Sequence, residues 1–475
     1  MPANSDRSNP SGSLDRRAFI GAAGVGVAAA GLGATAARAG SAARSGRASR
    51  ATRVIVMVSD GMSTGTLSLA DMLHRDLWGV PSNWCRLWTE PGVRRSMVRT
   101  ASADSLVTDS AAASTAWSIG QAVNNGAICF TPGNAQPAPI LVRAKQAGLA
   151  TGLVTTTHIT HATPAAFVAN VPARSLATPI AAQILDRGVD VALGGGSRYF
   201  SDELLARHAD VTVVRSAAEL AAAHGAAADG RLLGLFAQDH VPFLLDRDES
   251  HPALEAMTRT ALQHLDRAAE GFVLQVEGGR VDHAAHGNDA GSLVAEQLEF
   301  DRALGVAMEY ALGRDDTLLI VTTDHANANP GLTLYGEPGN AGFARLTNAT
   351  RSFEWIQRRM GEAADRAAAA SMLPGLIVEA TGGLELRRAD VEWLERALVE
   401  RQRVDGFLAR GRDFNCTLGS LLANHYAVSF VSPNHTADMV ELTAIGVGAE
   451  RVEPVSHLAD LHGVMTSALG LPAAT

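Results

Sequence analysis

The chain has 475 residues, 47% hydrophobic and 19% charged, a balance that excludes disordered and fibrous classes and suits a globular protein. A formal net charge of −9 speaks against a basic nucleic-acid-binding surface. Lys145 is the only lysine, so Schiff-base chemistry is disfavoured and any anion clamp falls to arginine.

From the N-terminus, Asp15-Arg16-Arg17-Ala18-Phe19-Ile20, a Gly/Ala/Val-rich run and Ala37-Arg38-Ala39 form the pattern of a twin-arginine export signal with a small-residue cleavage site. Residues 1–39 are expected to be the leader and 40–52 a flexible linker, with the mature protein periplasmic or extracellular. The competing reading, an uncleaved membrane anchor, fits a Gly/Ala-dominated run less well. No later stretch holds the roughly 18 to 20 unbroken apolar residues of a spanning helix, so the mature chain is expected to have none. Cys85, Cys129 and Cys416 allow one disulfide at most.

Residues 53–59 are a largely β-branched run, the pattern of a strand buried on both faces, and they lead into Asp60-Gly61-Met62. Thr108-Asp109-Ser110 then opens an alanine-rich stretch that predicts a helix with Ser110 as its capping residue, hydroxyl outward. Orphan N–H groups and the positive end of the helix dipole make such a place attractive to phosphate. Further buried strands are expected at 152–156, 189–193, 272–276, 317–321 and 440–445, with helices at 139–148, 178–187, 252–270 and 289–312. This alternation predicts an α/β fold, a three-layer α/β/α sandwich around a central, mostly parallel sheet. Residues 331–424 break the pattern with a Gly/Pro/Asn-rich loop and amphipathic helices at 352–360 and 388–403. They are expected to form an inserted, mainly helical cap on a core of 53–330 and 425–475, which ends in a helix at 455–469. Gly194-Gly195-Gly196 lacks both GxGxxG spacing and a P-loop lysine, and is read as a structural turn.

Four strand ends carry residues of metal-binding type: Asp60, the stretch Thr157 to Thr163 with His161, Glu277, and Asp324-His325. In a parallel sheet those ends share one edge, where open α/β sheets place ligands. Helical spacing after Val281 puts Asp282 and His286 one turn apart on one face, able to grip one cation, with His283 pointing elsewhere. His435 comes from a late loop. Taken singly, each is more often a cap, a surface pair or a surface histidine; it is the company that points to a metal centre.

On these motifs, with Thr163-Pro164-Ala165-Ala166, Val276-Glu277-Gly278 and His435-Thr436, the sequence resembles the alkaline phosphatase family over about 53–330 and 430–450. The resemblance implies a phosphomonoesterase working through a phosphoserine on Ser110, with Arg174 as phosphate clamp and Asp109 orienting the serine. It implies one zinc ion on Asp282, His286 and His435, a second on Asp60, Asp324 and His325, and a third metal, usually magnesium, on Asp60, Thr163 and Glu277. His161 and His283 stand where several bacterial members have Asp and Lys, while other members have His at both. Imidazole there favours zinc or cobalt over magnesium, unless both rings touch only water or phosphate. Small phosphomonoesters as substrates follow from the same resemblance, and a homodimer is compatible with it, since members of that family are commonly dimers.

Two alternatives stay open. A phosphodiesterase of the same superfamily commonly uses Thr where this chain has Ser110. A non-catalytic exported metal-binding protein predicts loss of Ser110, Arg174 or a ligand, and none is missing. A sulfatase would need C-x-P-x-R, which is absent.

Overall fold

The computed structural model describes residues 50–226, 230–400 and 414–472. The expected leader, most of the linker and the last residues of the helix expected at 388–403 lie outside them. In chain order the strands are β1 (Arg53–Ser59), β2 (Arg94–Arg99), β3 (Ala150–His158), β4 (Val191–Gly195), β5 (Val211–Val214), β6 (Arg231–Leu235), β7 (Phe272–Gly278) and β8 (Thr317–Thr322). Four two-residue strands follow, β9 (Ala326–Asn327), β10 (Gly331–Leu332), β11 (Val428–Ser429) and β12 (His435–Thr436), then β13 (Val440–Gly446) and β14 (Val455–His457).

Ten strands form one sheet in the order β14-β2-β13-β8-β1-β7-β3-β4-β6-β5. The run from β8 to β5 is parallel, and β13 lies antiparallel against β8. Alternation along β1 shows why both faces must be covered: Val54, Val56 and Val58 join one apolar core, Ile55 and Met57 another. Helices Ser110–Ile119 and Ala162–Val168 line the first, and Leu254–Leu265 and Ala290–Ala311 the second. The three-layer expectation therefore holds.

The differences are local. The strands β2, β5, β6 and β14 carried too little periodicity to be foreseen; β2 reads Arg-Arg-Ser-Met-Val-Arg, with only Ser96 and Val98 buried. Residues 455–457 are a strand paired with β2, and the last helix begins only at Asp460, not at Val455. Ser110 is not the cap of its helix. Asp109 has the extended backbone and accepts the Ala112 N–H at 2.9 Å, and Ser110 is the first helical residue. Cys85 and Cys129 are not joined by a disulfide. No described helix is long and apolar enough to cross a membrane.

Segment 331–424 holds helices Gly336–Ala344, Phe353–Gly361, Arg366–Ala380 and Arg388–Glu400, runs into Phe414–Tyr426, and is closed at its base by the antiparallel pair β10–β11. Asp289 fastens it to the core: this N-cap of helix Ala290–Ala311 accepts the Ser292 and Phe353 N–H groups at 3.0 and 2.8 Å. Burial pushes Asp289 up to about 6, against the pull of those donors. A carboxyl raised by folding binds a proton as the chain folds, so its contribution is best below the unfolded value and is lost as pH rises through about 6. Relative to Asp289→Asn, the wild type is expected to lose roughly 2–3 kcal/mol of unfolding free energy between pH 4 and 7, read by urea denaturation. A difference that does not vary with pH would contradict this.

Candidate metal centre

Strands β8, β1, β7 and β3 are consecutive neighbours running the same way, so their carboxyl ends deliver Asp324-His325, Asp60, Glu277 and the 157–163 turn to one edge. Helix Arg280–His286 and strand β12, paired with β9, bring Asp282, His286 and His435 to the same place. The residues expected to converge do so, in three overlapping groups.

In the first group, Asp282 lies 3.3 Å from His286 Nε2 through one oxygen and 3.5 Å from His435 Nε2 through the other. Each histidine commits its other nitrogen to a main-chain carbonyl: His286 Nδ1–H to Pro433 at 2.6 Å, His435 Nδ1–H to Thr108 at 2.9 Å. Both Nε2 lone pairs then face each other 3.0 Å apart. Two lone pairs do not meet without something positive to share, and this tautomer setting is the one that metal-bound histidines adopt. Burial opposes the charged form of His286, yet the Asp282 carboxylate holds it up at about 9.

The second group is wholly buried. One donor atom each from Asp60, Asp324 and His325 lies within 4.8 Å of the other two. Asp324 takes the Gly61 and His325 N–H groups on one oxygen at 3.0 Å each, and its other oxygen has no hydrogen-bond partner. Asp60 likewise keeps one oxygen unpartnered. Burial, and then the carboxylates of Asp324, Asp282 and Glu277, drive Asp60 well above its ordinary range. Burial also lifts Asp324 to about 6 against the Gly61 N–H. Unpartnered buried carboxylate oxygens are costly, and a divalent cation is what this donor set fits. Ser110 Oγ stands 3.2 Å from His325 Nε2, on the rim of this group.

The third group joins Asp60, Glu277 and His161 within 4.8 Å, with the Thr163 hydroxyl 3.4 Å from Asp60. Glu277 receives hydroxyls of Thr155 and Thr157 on one oxygen, leaves the other unpartnered, and is lifted by burial to about 7. Arg174 lies alongside, donating to Asp109 at 2.9 Å and to His161 Nε2 at 3.0 Å. A guanidinium can only donate, so His161 spends its Nε2 lone pair on Arg174 and its proton sits on Nδ1. Burial disfavours the charged form of Asp109, but Arg174 and the Ala112 and Gly126 N–H groups outweigh it and hold the carboxyl below its usual value.

Several residues at the site were not foreseen. Asn327 donates to Asp282 Oδ1 at 2.7 Å, and Gly61 is the only residue type possible at its position. A Cβ there would fall 2.3 Å from Asp282 Oδ1, and φ is +65°. His158, Asp239 and His240 line the outer wall beside His161 and His283. Although these three could be taken for a further cation site, the His158 N–H donates to His240 Nδ1 at 3.3 Å, which leaves the proton on Nε2. The trio is a wall of the site in which a main-chain hydrogen bond ties His158 to His240, while Asp239 Oδ1 has no hydrogen-bond partner. The glycine run explains itself against it: a Cβ on Gly195 would fall 2.0 Å from the Asp239 carbonyl. The one cue in sequence was that Gly-Gly-Gly sits where another backbone must pass close by.

With this geometry in hand, comparison with known proteins is specific. The alkaline phosphatase family model matches residues 51–471. Repressible alkaline phosphatase of Saccharomyces cerevisiae is 34% identical over 361 residues, an alignment covering 65% of this chain and 61% of the yeast protein. Alkaline phosphatase 4 of Bacillus subtilis is 33% identical over 322 residues, covering 65% and 68%. The chain thus matches under two thirds of the yeast protein's length. Among solved structures, alkaline phosphatase of Thermus thermophilus superposes with a TM-score of 0.82 at 33% identity, covering 90% of this chain and 93% of that one. Fold, strand-end residues and family model agree: the chain belongs to the alkaline phosphatase family.

Proposed function

We propose that the protein is an exported phosphomonoester hydrolase that releases inorganic phosphate through a phosphoserine on Ser110. The observation that carries this reading is the juxtaposition of Ser110, at a helix N-terminus and 3.2 Å from His325, with two buried groups of unpartnered metal-type donors and with Arg174. Asp282, His286 and His435 would hold one zinc, and Asp60, Asp324 and His325 the other. Asp60, Glu277 and Thr163 would hold the third ion. Because Arg174 occupies His161 Nε2, that third set is oxygen-only, which favours magnesium over zinc or cobalt. Divalent cations held there supply Lewis acidity that stabilises the attacking and departing oxygens of an in-line displacement.

The chain's own residues do the rest. Asp109 caps the helix and, through Arg174, fixes the guanidinium beside the serine. Arg174 has further N–H donors that can take two phosphoryl oxygens side by side, a planar geometry that lysine lacks. The N-terminal turn of helix Ser110–Ile119 adds backbone donors where negative charge grows. Small phosphomonoesters fit such a site, and the twin-arginine leader read in residues 1–39 would carry the folded protein out of the cytoplasm. We place it in the periplasm or outside the cell, as a homodimer.

Turnover of an aryl phosphomonoester against the matching diester, with zinc and magnesium supplied, tests the reading. The monoester is expected to win by orders of magnitude; a diester preference transfers the site to the phosphodiesterase reading. Removing the clamp should separate binding from chemistry. Arg174→Ala is expected to raise both KM and the inhibition constant of inorganic phosphate about 10- to 100-fold, consistent with loss of a charge-assisted bidentate contact worth about 1.5–3 kcal/mol. Unchanged phosphate inhibition would take Arg174 out of the phosphate site.

A further inference from the structure

Arg280 follows the Glu277-Gly278-Gly279 turn and starts the helix that carries Asp282 and His286. Its side chain is 3% exposed, and the guanidinium lies 3.8 Å above the Phe243 ring. Nη1 donates to His283 Nδ1 at 2.7 Å, and Nη2 pairs with Glu354 at 2.5 Å. Glu354 is half-exposed and belongs to helix Phe353–Gly361 of the 331–424 segment. These residues meet along a cavity of about 280 Å³ between the segment and the core, which Gln357 also lines. Arg280 therefore spans the distance from an outer helix to a ring beside the third group.

That ring is constrained by what an arginine can do. A guanidinium has five donors and no acceptor, so His283 must turn a lone pair on Nδ1 toward it, and the proton of the neutral ring goes to Nε2. A protonated ring nitrogen cannot bind a metal, but it can donate to water or to a phosphoryl oxygen. The ring stands edge-on to His161 and His240, with centroids 5.6 and 4.5 Å away, within the histidine cluster beside the third group.

We propose that Arg280, anchored by Glu354, is a positioning residue that fixes His283 as an Nε2–H hydrogen-bond donor and withholds it from metal binding. The 331–424 segment thereby sets the chemistry of the third group from outside it. The consequence for turnover rests on the phosphatase reading; the proton's position on the ring does not.

The test uses the full-length, zinc- and magnesium-loaded protein labelled with 15N-histidine, with His283 assigned by its loss in His283→Gln. Long-range 1H–15N spectra are expected to show a protonated Nε2 and an unprotonated Nδ1. Arg280→Met should mix or reverse the two, and Arg280→Lys, which keeps a donor, should restore them. Turnover should follow, with kcat about 10-fold lower in Arg280→Met, KM changed less, and most of the rate recovered in Arg280→Lys. Should Arg280→Met not fold, Glu354→Ala, which leaves Arg280 in place but unanchored, is expected to blur the same signals. A proton on Nδ1 in the wild type, or signals that stay fixed in both Arg280→Met and Glu354→Ala, overturns the proposal. The expected signals in a protein with no monoesterase activity would sink the phosphatase reading alone.

Discussion

Ser110→Ala is expected to lower hydrolysis of an aryl phosphomonoester by about four orders of magnitude or more while leaving the fold in place. The serine is 1% exposed, and its hydroxyl touches His325. Removing one oxygen takes away the group that would accept the phosphoryl, and adds no bulk. The helix itself loses little, because Asp109 does the capping and accepts the Ala112 N–H. Had Ser110 been the cap, about 1 kcal/mol of stability would go with it. The thermal midpoint should therefore stay within a few degrees of wild type. Acid quenching of wild-type turnover on a labelled monoester should trap label on the protein, and the variant should trap none. A variant with near-full activity would end the phosphoserine mechanism.

Asp60→Asn is expected to act with opposite sign on the loaded and the metal-free protein. Asp60 is the residue common to the second and third groups, so the loaded variant should carry fewer ions by metal analysis and lose about 10³-fold in kcat/KM. Its midpoint should fall, since bound cations stabilise the folded state by mass action. In the chelated protein the balance reverses. There Asp60 is fully buried, one of its oxygens lacks a partner, and the carboxylates of Asp324, Asp282 and Glu277 surround it. A carboxyl whose folded value is raised costs stability above its unfolded value of about 3.9, so at pH 8 an amide relieves the penalty. The chelated variant should melt higher than chelated wild type at pH 8, and the gap should close near pH 4. A lower midpoint for the chelated variant at pH 8 would contradict the electrostatic account of the centre.

Most of the centre was legible because a parallel sheet is a sorting device. An apolar run of β-branched residues marks a central strand, and its last residue must emerge on the common edge; Asp60, Glu277 and Asp324 could be placed by that rule alone. Asp282 and His286 needed only the helical period. What escaped reading lies where the chain has no period. His240 sits in a loop after β6, a strand too short to announce itself, and nothing in the sequence links it to His158. Ser110 was misplaced by one residue because Asp and Ser are equally good caps on propensity; Arg174, 64 residues onward, joins the backbone N–H groups in holding Asp109. Tautomers of His161 and His283 were out of reach for the same reason, since each is dictated by an arginine whose direction only the fold decides.

Gly61 has one more implication. Its N–H holds Asp324 of one group, and a Cβ on it would fall 2.3 Å from Asp282 Oδ1 of the next, so the chain passes between the two groups only without a side chain. Asp324 and Asp282, which would hold different ions, are thus set against each other by the main chain of one residue, a spacing that a side chain at position 61 would disturb. Variants elsewhere in the centre can alter what each carboxylate binds, but moving the two carboxylates apart would demand a break just past the end of β1, and with it the edge on which everything else is hung.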